Sequence, residues 1–187
     1  LALWMESDRM GYLLPALTEG KFRNQREVVL NERRQNYENR PYGLAGMALV
    51  AELYPPDHPY HWLTIGAADD LRAAQLDDVR TFFETYYHPR NASLALAGDV
   101  DPDEGLDLAE QYFGSIPAGA SPAPVRVATP APPTSEARLL LEDRVELPRL
   151  YMAWHSPATF APGDADMDLM ADLLASGKTS RLYLSLV

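Results

Sequence analysis

Glu32 follows Gln25 by seven residues in the run Asn24-Gln25-Arg26-Glu27-Val28-Val29-Leu30-Asn31-Glu32-Arg33-Arg34. On a helix that spacing is nearly two full turns, so a carboxylate and an amide share one face, here expected to include Phe22, Val29 and Asn36. A carboxylate withdrawn from water must be ion-paired or bound to a metal, because an uncompensated buried charge is costly. Taken alone, the spacing favours a solvated surface acid leaning on Gln35 or Asn36, since glutamate is mostly exposed. A lone glutamate is not a metal site.

The other candidate ligands are His58, His61, His88 and His155, and none is followed by Glu at the third and His at the fourth position. His58 and His61 are three apart, but Pro59 between them argues against a metal-binding helix. Histidines in such an aromatic loop are expected to make ordinary hydrogen bonds. His88 before Pro89 and His155 near an expected strand end have weaker claims still. Ser176-Gly177-Lys178-Thr179 resembles the end of a phosphate-binding loop, yet Asp172 stands where that motif needs its first glycine. No Gly-x-Ser-x-Gly nucleophile motif occurs.

These residues sit in a chain of 187 residues with 47% hydrophobic and 23% charged residues, the ordinary globular range. A net charge of -11, from 16 Lys and Arg against 27 Asp and Glu, argues against nucleic acid as a partner. No run approaches the roughly 18 to 20 apolar residues of a membrane span. Cysteine is absent, so disulfides and thiolate metal sites are excluded while the compartment stays open. Both ends read as interrupted elements, an expectation of a piece of a longer polypeptide.

The elements that must position Glu32 follow from periodicity and punctuation. Helices are expected over about 3–14, ended by Pro15, and from Thr18 as N-cap to about Glu38, with Pro41 beyond. Further helices are expected over 44–53, 68–73 and 76–87, from Pro102 after Asp101, over 164–175 and beyond Gly177. Strands are expected over 92–98, where small and apolar residues alternate, and near 138–141 and 150–155. The fold class is therefore read as α+β, helices packed on one face of a mainly antiparallel sheet. Residues 117–135 carry six prolines and read as an extended surface linker between residues 1–116 and 136–187.

The helix around Glu32, continued by Tyr37-Glu38-Asn39-Arg40-Pro41-Tyr42-Gly43, resembles the third-ligand helix of the pitrilysin/insulinase-type zinc metallopeptidases. Further landmarks follow in that family's order: His58-Pro59-Tyr60, Phe82-Phe83 with Tyr86-Tyr87, Leu96-Ala97-Gly98-Asp99, Tyr112-Phe113-Gly114 and Gly177-Lys178-Thr179-Ser180-Arg181-Leu182-Tyr183. The resemblance implies that Glu32 is the third zinc ligand, with an inverted His-x-x-Glu-His motif upstream of Leu1 supplying the other two. It implies water attack on a zinc-polarised peptide carbonyl, with that motif's glutamate as general base. No catalytic residue is then expected in this chain, and the isolated fragment is expected to bind no zinc and hydrolyse nothing.

Many family members carry an acid where Gln25 stands. An amide can still orient the site by hydrogen bonding, but it adds no charge and takes no proton. Residues 1–116 would be the later part of one αβ repeat and the start of a second, which 136–187 continue. The implied partners are the rest of the polypeptide, a second peptidase-like domain, peptides or unfolded chains as substrates, and a dimer mate. The alternative is a non-catalytic peptidase-like subunit that serves in binding or assembly.

Overall fold

The computed structural model describes residues 1–127, 129–131 and 133–187. Its regular elements are helices: α1 (Ala2–Ala16), α2 (Glu19–Arg33), α3 (Ala45–Leu53), α4 (Ala68–Ala73), α5 (Leu76–Tyr86), α6 (Pro102–Phe113), α7 (Asp164–Ala175) and α8 (Arg181–Leu186). They form two compact units, one of Leu1–Leu44 with Trp62–Ala128 and one of Ala45–His61 with Thr129–Val187.

Local chemistry accounts for the helix ends. Thr18 Oγ1 accepts the Lys21 amide at the start of α2. At α6, Asp101 Oδ1 accepts the amides of Asp103 and Glu104 at 2.9 and 3.1 Å, satisfying two donors that the first turn leaves orphaned. α5 opens on a capping box in which the Gln75 amide donates to Asp78 Oδ2 at 2.7 Å. Pro15 does not end α1 but lies inside its last turn. Helix α2 passes at Arg34–Glu38 into a single π turn, closed by the Asn39 amide on the Arg34 carbonyl at 2.7 Å.

The expected sheet is absent: among the described residues there is no strand, so the α+β reading is corrected to a helical one. Residues 92–98, 138–141 and 150–155 carry no helix or strand, and no backbone hydrogen bond joins any of these segments to another. Alternating apolar residues show which side chains need cover, but a strand exists only when its N–H and C=O groups pair with a neighbouring strand. Leu140 at 90% and Trp154 at 74% exposure show how little cover two of these segments have. The first segment instead leads into α6, where Leu96 Cδ1 and Val100 Cγ2 approach the Cα of Gly105 closely enough to meet an added Cβ at 3.3 and 3.7 Å.

In the first unit α1 packs on α6 and α2 on α4. An added Cβ at Gly11 on α1 would meet Ile116, just past α6, at 3.3 Å. Buried apolar residues are sparse: among the described residues they are Phe22 and Leu30 on α2, and Ala45 at the start of α3.

Candidate functional site

Phe22, Arg26, Leu30 and Arg33, at intervals of four, four and three, make the covered side of α2. Both arginines reach across to the segment around α4. Arg33 is 13% exposed in its side chain, and its guanidinium donates through Nη1 to the Gly66 carbonyl at 2.6 Å and through Nε to Glu38 Oε1 at 3.0 Å. Arg26 donates through Nη1 to the Ala74 carbonyl at 3.2 Å and to that of Arg72 at 3.5 Å, while its guanidinium carbon lies 5.5 Å from the centre of the Phe22 ring. The carbonyls that receive Arg26 close the C-terminal end of α4, where a helix leaves acceptors unpaired. Gly66, with φ +71°, lies two residues before α4. Helix α2 is thus tied to both ends of α4.

Gln25 and Glu32 each stand one residue before an arginine of this covered side, about 100° around the helix from it. They lie within about 20° of each other in projection, as their spacing predicts. Both are exposed. Their face therefore turns to solvent, whereas Phe22, expected on the same face, is buried. Apolar spacing does not reveal this, because two arginines occupy half-buried positions by donating to backbone carbonyls. The Glu32 carboxylate has no hydrogen bond or ion pair to any described residue.

The histidines are engaged, and three of them, His58, His61 and His155, meet Tyr54. His58 is buried, stacks on Tyr54 with ring centres 4.7 Å apart, and accepts the Tyr60 amide on Nδ1 at 3.0 Å. His61 donates from Nδ1 to the Tyr54 carbonyl at 2.6 Å, and His155 donates from Nε2 to that of Leu53 at 2.9 Å. His88 is buried and donates from Nε2 to the Thr85 carbonyl at 3.1 Å. Among the described residues no group of three or more His, Cys, Asp or Glu is placed to hold a metal ion. Glu32 fits such an ion as a single oxygen ligand, because its carboxylate is exposed and uncommitted. An open depression of about 390 Å³ beside α4, lined by Trp62, Ile65 and Leu71 among others, offers Asp70 as its one titratable group and is no catalytic centre.

Residues 73–187 match the family profile described as the peptidase M16 inactive domain. The chain belongs to the peptidase M16 family. It is 31% identical over 189 residues to the zinc protease PqqE of Helicobacter pylori, a match covering all of this chain and 42% of that protein. It is 27% identical to the mitochondrial-processing peptidase subunit beta of Lentinula edodes, over 90% of this chain and 39% of that subunit. The crystal structure of a protease from Helicobacter pylori superposes with a TM-score of 0.70 at 26% identity, across all of this chain and 45% of that one. The chain thus spans less than half the length of these M16 relatives, and the protease family expected from the Glu32 helix is the one found.

Proposed function

We propose that this chain is part of a zinc-dependent metalloendopeptidase that hydrolyses peptides or unfolded polypeptides, and that Glu32 is one of its zinc ligands. What supports the reading is the resemblance of the Glu32 helix to the third-ligand helix of the family to which the chain belongs, with relatives that include a protein named as a zinc protease; the carboxylate is uncommitted, on a helix held at both ends of α4. Two histidines from a His-x-x-Glu-His motif outside residues 1–187 complete the site, which is why the fragment alone neither retains zinc nor hydrolyses substrate. Bound zinc supplies Lewis-acid polarisation of a peptide carbonyl and activation of water. The chain's own contribution is to hold the face of α2 that carries Glu32 and to place the Gln25 amide seven residues before it, where it orients without adding charge.

Glu32→Gln in the full-length protein tests this. The expected result is loss of stoichiometric zinc and of peptide hydrolysis with an unchanged circular dichroism spectrum. Wild-type turnover by that variant would refute the assignment.

The description of the matching profile as an inactive domain favours a second reading, a non-catalytic peptidase-like subunit acting in binding or assembly. Zinc analysis of the unmodified full-length protein separates the two: one equivalent with hydrolysis belongs to the enzyme, none to the scaffold.

A further inference from the structure

We infer that Arg26 and Arg33 are positioning residues that lock the rotation of α2 about its own axis and thereby set the direction in which the Gln25/Glu32 face is presented. The inference rests on Glu32 being a zinc ligand as proposed above. A helix held by apolar contacts alone can roll, and α2 buries only Phe22 and Leu30 among its hydrophobic residues. Directional bonds remove that freedom. Across to the α4 segment Arg33 donates to the Gly66 carbonyl and Arg26 to the carbonyls of Arg72 and Ala74, while Glu38, on the turn that continues α2, braces the Arg33 guanidinium.

The anchors lie at opposite ends of α4, Gly66 before it and Arg72 and Ala74 at its close, so a roll of α2 loses both together. A roll of about 100°, enough to exchange Glu32 for its neighbour, breaks the three bonds to Gly66, Arg72 and Ala74, while the Glu38 bond moves with the helix. The arginines repeat with the same period of seven as Gln25 and Glu32, one position later, so each site residue is indexed by the tether beside it. The planar guanidinium suits this task, because its fork holds an orientation where an ammonium holds only a point.

A merely structural role predicts lost stability without a change in metal binding, and the test separates the two. Zinc affinity of the full-length protein is measured by competition with a chromophoric zinc chelator, alongside the melting temperature of the zinc-free protein. Arg33→Met and Arg26→Met are each expected to weaken zinc binding about 10- to 100-fold, the range for residues that orient a ligand. The zinc-free protein should melt close to wild type, and Arg33→Lys should recover part of the affinity. Parental zinc affinity in both methionine variants, while Glu32→Gln loses zinc, overturns the positioning role and leaves the Glu32 assignment standing. Retention of zinc by Glu32→Gln overturns both. If the methionine variants fail to fold, Arg33→Lys and Arg26→Lys carry the test: weakened zinc binding supports the inference, and parental affinity in both refutes it.

Discussion

Gly43→Ala is expected to destabilise the protein by about 3 kcal/mol, the upper end of the usual cost of overpacking. A Cβ at position 43 would lie 2.1 Å from the Tyr37 carbonyl oxygen and 2.9 Å from that of Arg40. Carbon and oxygen meet comfortably only beyond about 3.3 Å, so the chain must open by about 1 Å. The obstructing oxygens belong to the backbone and cannot swing aside. The turn is already constrained, since Tyr42 holds φ +60° and the Gly43 amide donates to the Arg40 carbonyl at 2.8 Å.

Gly20→Ala supplies the control, because nothing lies within 4 Å of its added Cβ. There the change should stabilise α2 by about 0.5–1 kcal/mol through reduced backbone entropy of the unfolded chain. Urea unfolding of the two full-length variants beside the parent reads the difference. With a slope of roughly 2–3 kcal/mol/M, the Gly43 variant's midpoint should fall by about 1 M. A midpoint equal to the parent's, or to that of Gly20→Ala, would show that the turn after α2 relaxes freely and that the steric reasoning is wrong.

Asp101→Ala removes the cap of α6 and should cost about 1 kcal/mol, read as a lowered melting temperature; an unchanged one means water replaces the cap without loss. Gln25→Glu adds a negative charge on the face of Glu32, and the full-length variant should bind zinc several-fold more tightly in chelator competition. Equal or weaker binding places position 25 too far from the ion to matter.

The helices were largely legible because their punctuation is local. Thr18 and Asp101 announce α2 and α6 through side-chain oxygens that reach only two or three residues along the chain. The expected strands failed for the opposite reason: pairing is non-local, and the apolar run over 150–155 states a need for cover without saying what supplies it. At the candidate site the spacing correctly joined Gln25 to Glu32, but the covered side of α2 was misjudged. Apolar periodicity pointed to Phe22 and Val29, which are buried and half-buried, but it missed the half-buried Arg26 and Arg33 beside Phe22 and Leu30. Their acceptors lie 33 to 48 residues away, beyond the reach of any local pattern. The π turn at 34–38, which brings Glu38 to Arg33, left no compositional mark either.

The grip of α2 on its neighbour falls mostly on main-chain oxygens, those of Gly66, Arg72 and Ala74. Every amino acid carries such an oxygen, so the receiving segment can drift in sequence while still offering the same handholds, provided its path is kept. The donors have no such latitude. Tolerance to substitution should therefore be lopsided, wide at the exposed positions 72 and 73 and narrow at 26 and 33, although both sides share the same bonds.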